Sequence, residues 1–288
     1  MKKIVFFVLL MCIAIATLPA QGIYIRGGSG YGLPIATLDI GENSTHTTDY
    51  TGDISSDVYS TESVTASYGA GANFNFGFGF KFNENFILDL NVQYLAGKKF
   101  ETSSIDKYID IGYSYKSEQI NSTHSSGLYF NPTLIFSAGF GKRAPYGKFG
   151  IIAASPKVKT NEYSYDDGDG IYETNTKWEY SGGLAIGYQA AVGINWQITE
   201  RLDIYTEADF VSMTYYAKEG NMTEYIVNGV DQLEQLILNE RKIEYKKKFD
   251  PSVPWDANKP QVMLREASPF SYISAQVGIR FTIVNLSD

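Results

Sequence analysis

The sequence offers almost nothing for thiol or imidazole chemistry, with one cysteine and two histidines in 288 residues. That excludes a disulfide framework, a thiolate cluster and a His-rich metal site, and no cofactor is expected. Basic residues are short as well: 24 Lys and Arg face 32 Asp and Glu, for a net charge of −8. A nucleic-acid binder needs a basic face to neutralise phosphates, so that class is excluded. Charged residues reach only 19%, below the roughly 25% of an ordinary soluble domain. Beyond residue 20 no run approaches the about 18 apolar residues of a spanning helix. In place of charge stand 15% aromatic residues and 27 glycines.

The chain opens with Lys2 and Lys3, continues through an apolar stretch over residues 4–18, and reaches Pro19, Ala20 and Gln21. A charged start, an apolar middle and a small-residue exit are the parts of a secretory signal peptide. Residues 1–20 are therefore expected to be removed near Ala20, leaving residues 21–288 as one domain. Cys12 goes with them and follows no lipobox, so the mature chain is expected to be thiol-free. Losing Lys2 and Lys3 leaves 22 basic against 32 acidic residues, a charge of −10.

From Ala72 to Phe82 the residues alternate with period two. Phe74, Phe76, Phe78, Phe80 and Phe82 point one way; Asn73, Asn75, Gly77, Gly79 and Lys81 point the other, because successive side chains of a strand face opposite sides. After a turn at residues 83–85, Phe86, Leu88, Leu90, Val92 and Tyr94 oppose Asp89, Asn91 and Gln93. The same alternation recurs over residues 128–137, 184–197, 202–210 and 273–283. Glycine- and alanine-rich stretches at 22–33 and 147–155 bring the count to eight strands. Most exceed the usual five or six residues and match the roughly 9 to 11 that cross a bilayer at a tilt.

The connections sort by parity. Residues 34–65, 99–125, 156–180 and 217–269 are long; 83–85, 141–146 and 199–201 are short. Transmembrane barrels join their strands by short periplasmic turns and long extracellular loops, and an even strand count returns both ends to the periplasm. A sheet in hydrocarbon must also close on itself to satisfy its edges. The expectation is an all-β, closed, antiparallel, up-and-down transmembrane β-barrel of eight strands. A hairpin over residues 225–245 would make ten; the helical spacing of Val230, Leu233, Leu236 and Ile237 instead predicts a short amphipathic helix between residues 228 and 242.

Eight strands enclose a lumen just wide enough for side chains to fill. With the 83–85 turn setting the register, Gly79 faces Asp89 and Gly77 faces Asn91; across the 199–201 turn, Gly193 faces Glu207. Large polar groups are thus expected opposite glycines, in a plug of paired charges. Its cations are Arg26, Lys81 and Arg280, and its carboxylates Asp89, Asp203, Glu207 and Asp209. Buried charges need partners whatever they do, so this cluster is read as structural, with no wide aqueous channel.

Gln276-Val277-Gly278-Ile279-Arg280-Phe281-Thr282-Ile283, in the last strand, is similar to the terminal-strand signal by which the outer-membrane assembly machinery recognises its clients. Its matching positions are Gln276, Gly278, Phe281 and Ile283. With the export signal and the eight strands, the mature chain resembles the bacterial outer-membrane β-barrel proteins of the OmpA- and OmpX-like kind, often called the porin family. The resemblance implies a non-enzymatic, integral protein of the Gram-negative envelope. Its partners would be outer-membrane lipid and lipopolysaccharide, the barrel-assembly machinery, and an extracellular ligand held by the loops. The chain departs from the pattern in continuing to Asp288 instead of ending on the aromatic residue, in its longer loops, and in lacking a downstream peptidoglycan-binding domain. Four long surface loops on a rigid wall suit envelope integrity, surface interaction or adhesion. A small-solute porin is the alternative, a lipid A-modifying enzyme the remote one.

Three motifs carry weaker chemistry. Asp167, Asp169 and Glu173, in an Asp- and Gly-rich loop, partly match an oxygen-ligand calcium loop, but an acidic surface loop explains them as well. His124-Ser125-Ser126 resembles the His and Ser of outer-membrane lipid A deacylases, yet Gly127 stands where that motif has Asn and no orienting carboxylate is evident, so no catalytic residue is assigned. Asn43, Asn121 and Asn221 begin glycosylation-type triplets, which in a bacterial exported protein usually carry no sugar.

Overall fold

The computed structural model describes residues 22–35, 37–51, 54–110, 113–138, 142–168, 170–248 and 256–285. The proposed signal segment, Asp169, Pro254 and Trp255 lie outside them. Eight long strands carry the architecture: β1 (Gly22–Pro34), β2 (Gly71–Lys81), β3 (Phe86–Gly97), β4 (Tyr113–Ser137), β5 (Arg143–Asp166), β6 (Ala185–Gln197), β7 (Leu202–Tyr215) and β8 (Tyr272–Asn285). Each pairs antiparallel with the next. β8 then returns to β1, with Gly22 opposite Asn285 and Pro34 opposite Tyr272. The cycle of pairings makes the fold an all-β barrel.

Local chemistry makes the tight turns. Asn83 Oδ1 accepts the backbone N–H of Asn85 at 2.8 Å and of Phe86 at 2.7 Å, closing β2 onto β3. Thr199 Oγ1 does the same for Leu202 at 3.0 Å, between β6 and β7. Short polar side chains that bond backbone two or three residues ahead stabilise such turns. The resulting registers set Gly79 opposite Asp89, Gly77 opposite Asn91 and Gly193 opposite Glu207.

The wall is inverted relative to a water-soluble protein. Its outward face is apolar: Phe74, Phe76, Leu128, Phe149, Val192 and Ile279 are all about half exposed or more. The inward face is polar, with Asn73, Asp89, Gln93, Asn131, Gln189 and Asp209 at 1% exposure or less. Toward the end away from the tight turns the interior turns apolar. There Leu95, Tyr129, Ile152, Val211, Met213, Tyr215, Phe270 and Tyr272 form one buried cluster that caps the lumen.

The expected long loops are largely strand. β4 and β5 run 25 and 24 residues, about 80 Å at roughly 3.3 Å per residue, far more than a bilayer needs. The hairpin of Leu38–Thr51 and Ile54–Ala66 lies parallel to Phe100–Asp110, which pairs with the distal half of β4. On the other side, Tyr172–Ser181 pairs with distal β5 and with Glu219–Val227. The wall is thus continued at one end by further sheet. The helix expected between residues 228 and 242 is replaced by a hairpin turn at Asn228 and Gly229, both at positive φ, a 3-10 turn at Leu233–Gln235 and a single helical turn at Leu238–Arg241. Lys242–Lys246 then pairs with Glu219–Asn221 in the extension, not with the wall cycle.

Candidate functional site: the ion network of the barrel interior

Inward positions of alternate strands meet at the centre of the barrel. Arg26 on β1 sits between two carboxylates: its Nε is 3.3 Å from Asp89 Oδ2 on β3 and its Nη1 is 3.5 Å from Glu207 Oε2 on β7. Lys148 on β5 binds Glu207 Oε1 and lies 3.3 Å from Asp209 Oδ1. All five side chains are at most 3% exposed or fully inaccessible within residues that are themselves buried. In so dry a setting each charge must be met by others and by hydrogen bonds. Tyr146 donates to Glu207 at 2.8 Å, Gln189 to Asp209 at 2.6 Å, and Tyr24 to Asp89 at 3.4 Å.

Nearer the tight turns lies a second group. Arg280 on β8 holds Asp203 on β7 through Nε at 2.7 Å and Nη2 at 2.5 Å. The Tyr24 ring links the two groups, because the Arg280 guanidinium stands 5.1 Å from its centroid while its hydroxyl reaches Asp89. Lys81 belongs here: its Nζ is 3.4 Å from Thr282 Oγ1 and 6.0 Å from the Tyr24 centroid. The seven charged residues singled out from the sequence are therefore divided, with Arg26, Asp89, Glu207 and Asp209 in the centre and Lys81, Asp203 and Arg280 at the turn end.

On the other side of the centre a neutral network continues. Tyr205 donates to Asn75 at 2.9 Å, and Asn75 to Gln276 at 2.7 Å. Gln93 donates to Tyr272 at 2.8 Å, and Asn131 shares its amide between Gln93 and Gln189 at 3.3 and 3.2 Å. Polar contacts thus run from Asp203 to the aromatic cap.

The inward glycines do something other than expected. They make room for tyrosine rings more than for the carboxylates opposite them: a Cβ at Gly79 would lie 1.9 Å from Tyr24 Cζ, and one at Gly193 would lie 2.4 Å from Tyr146 Cζ. Gly278 gives way to Tyr205 in the same manner, at 2.5 Å. Each hollow admits a ring whose hydroxyl then reaches an acceptor in the network.

Lys148 is the charged residue of the network that sequence reasoning missed, along with Tyr24 and Tyr146. The glycine- and alanine-rich composition of residues 147–155 hid it. Parity would have revealed it, since Tyr146 and Lys148 face inward while Phe149 and Ile151 face out.

Neither a protein-family model nor a curated protein matches this sequence. Among solved structures, the chain is similar to the crystal structure of the outer membrane protein OprG from Pseudomonas aeruginosa, at 10% identity and a TM-score of 0.41, over 92% of this chain and 97% of that one.

The remaining motifs are accounted for locally. In β8, Gln276 faces inward to Asn75, Gly278 abuts Tyr205, and Phe281 and Ile283 point outward, so each has a packing role besides any recognition role. Asp167 Oδ1 accepts the backbone N–H of Lys116 at 2.6 Å, and the backbone N–H of Glu173 donates to Asn228 Oδ1 at 2.7 Å. Among the described residues no three His, Cys, Asp or Glu side chains are grouped to hold a metal ion. His124 is exposed with Lys159 as its cross-strand neighbour, whereas Ser125 is buried and donates to the Tyr68 carbonyl.

Proposed function

We propose that this protein is an integral, non-enzymatic outer-membrane β-barrel: an eight-stranded wall with a side-chain-filled lumen, exported by a signal peptide cleaved near Ala20. The single observation that carries this reading is the inversion of polarity, an apolar belt outside and an ion network inside. So many exposed large apolar side chains suit only a non-aqueous surrounding. Twelve residues of a strand tilted at about 45° rise roughly 28 Å, the thickness of a bilayer core. The terminal β-strand would be read by the barrel-assembly machinery through Gln276, Gly278, Phe281 and Ile283, and the belt would be covered by outer-membrane lipid and lipopolysaccharide. Its polar extension would face outward, serving surface interaction, adhesion or envelope integrity in the manner of OmpA-like, porin-family proteins.

The test is refolding of the mature chain into detergent, a boiling-dependent gel shift, and conductance in a planar bilayer. A heat-modifiable, non-conducting or rarely conducting species is expected. Large, stable conductance steps from that species would overturn the filled lumen in favour of a porin, and failure to insert into lipid would overturn the membrane assignment itself.

A further inference from the structure

Beyond the aromatic cap, where the barrel wall passes into its extension, six segments converge on a half-open cavity of about 230 Å³. Tyr68, Tyr180, Tyr215 and Tyr245 contribute to its lining, together with Val158 and Glu266. Tyr215 and Val158 also belong to the buried cap, and Tyr68 and Tyr180 pack against it. The cavity therefore sits on a sealed base and is a dead end. Its rings meet their neighbours at differing angles: Tyr180 and Tyr245 lie 6.3 Å apart at 55°, Tyr68 and Phe270 5.7 Å apart at 36°, and Tyr215 and Phe270 5.7 Å apart at 84°. They come from separate strands and loops.

We propose that this cavity binds a small organic cation of the quaternary-ammonium kind. Ring faces carry negative charge density, and several rings around one space attract a cation that they need not hydrogen-bond. Glu266 is the one charged residue among the described residues that line the cavity, so the only full charge offered is negative. Two neighbouring cations are engaged elsewhere: the Arg265 guanidinium lies 4.5 Å from the Tyr216 centroid, and Lys246 Nζ is 3.1 Å from Glu244. The wider field has the same sign. Residues 35–70, 98–126, 156–184 and 216–271 together hold ten more acidic than basic residues, while the rest of the chain past residue 20 is balanced. An anion would meet repulsion from the exposed Glu266 carboxylate, and a neutral guest would gain no attraction from it. The volume falls below the roughly 300 Å³ at which drug-sized pockets begin, which fits a head group and not an extended chain.

This proposal gives a chemical class to the surface interaction argued above, but its test is separable from that reading. The full mature chain, refolded in dodecyl maltoside so that no detergent head group competes, is titrated calorimetrically with choline, phosphocholine and 3,3-dimethylbutanol, the neutral isostere of choline. Saturable choline binding is expected, with the alcohol at least about tenfold weaker, since the ring–cation attraction is its main difference. Glu266→Gln should weaken choline several-fold, Tyr245→Phe should preserve it, and Tyr180→Leu with Tyr245→Leu should abolish it. Tighter binding of phosphocholine would assign a lipid or glycan head group, tighter binding of choline a free cation. Equal affinity for the alcohol, full affinity in the double leucine variant, or no binding to a heat-modifiable sample would overturn the cage while leaving the barrel assignment intact.

Discussion

The ring of Tyr24 occupies the space that a side chain at residue 79 would need: a Cβ at Gly79 would lie 1.9 Å from Tyr24 Cζ. From that hollow the Tyr24 hydroxyl reaches Asp89 at 3.4 Å, and the ring faces the Arg280 guanidinium at 5.1 Å. One absent methyl group thus lets a single tyrosine join two charge clusters.

Gly79→Ala should accordingly destabilise the barrel by about 1–3 kcal/mol, the range of overpacked cores. The urea midpoint of the folded, heat-modifiable band measures it. Combining Gly79→Ala with Tyr24→Leu should cost less than the sum of the two single changes, because the clash is removed. Strict additivity would show that Tyr24 and Gly79 do not share this space.

Lys148 is in contact with both Glu207 and Asp209. Lys148→Met should cost about 3–5 kcal/mol, since it leaves buried carboxylates short of a cation. The triple change Lys148→Met, Glu207→Gln, Asp209→Asn should recover part of that loss. A triple variant no more stable than Lys148→Met would mean that charge imbalance is not what the lysine relieves.

Phe76 stands in the middle of the outward belt, 52% exposed, and Tyr59 in the extension is 70% exposed. Exposure is similar, yet the proposed surroundings differ. Phe76→Arg should lower stability in lipid by about 2–4 kcal/mol, as a cation near the bilayer midplane does, whereas Tyr59→Arg should be close to neutral. Equal effects in reconstituted vesicles would contradict a membrane around the belt.

Glu179, on the extension, is held below the usual carboxylate range by its hydrogen bond from Lys157 at 2.6 Å, with Lys159 adding to the effect. A depressed acid stabilises above its ordinary pKa and loses that contribution as pH falls through the lowered value. The contact between Tyr172–Ser181 and β5 should therefore loosen below about pH 4. Fluorescence of Trp178 in a variant with Trp196 and Trp255 replaced by Phe should report this, and Glu179→Gln should flatten the response below that pH. An unchanged pH profile in Glu179→Gln would assign the loosening to other groups.

How much was legible in the sequence followed from where water is. Along β2 and β3 one face carries exposed apolar side chains and the other a packed polar interior, so the period of two is written in residue type, as Phe74, Phe76 and Phe78 against Asn73, Asn75 and Gly77. In the extension the hairpin strands are mostly polar on both faces, with Ser44 opposite Thr61 and Thr45 opposite Ser60. Those strands left no apolar signature, and were read as loops.

The sequence by itself determined the long strands of the wall, the parity of their connections, the inward or outward sense of side chains in the strands that alternate clearly, and the cross-strand partners of the tight turns. These depend on neighbours one or two residues apart or across a three-residue turn. Only the tertiary structure decided that Lys148 would join Glu207 and Asp209, that Arg280 would leave the central group for Asp203, and that tyrosines would fill the glycine hollows. Those contacts cross the lumen between residues tens to hundreds of positions apart, where the closure of the barrel sets distance and no local period records it.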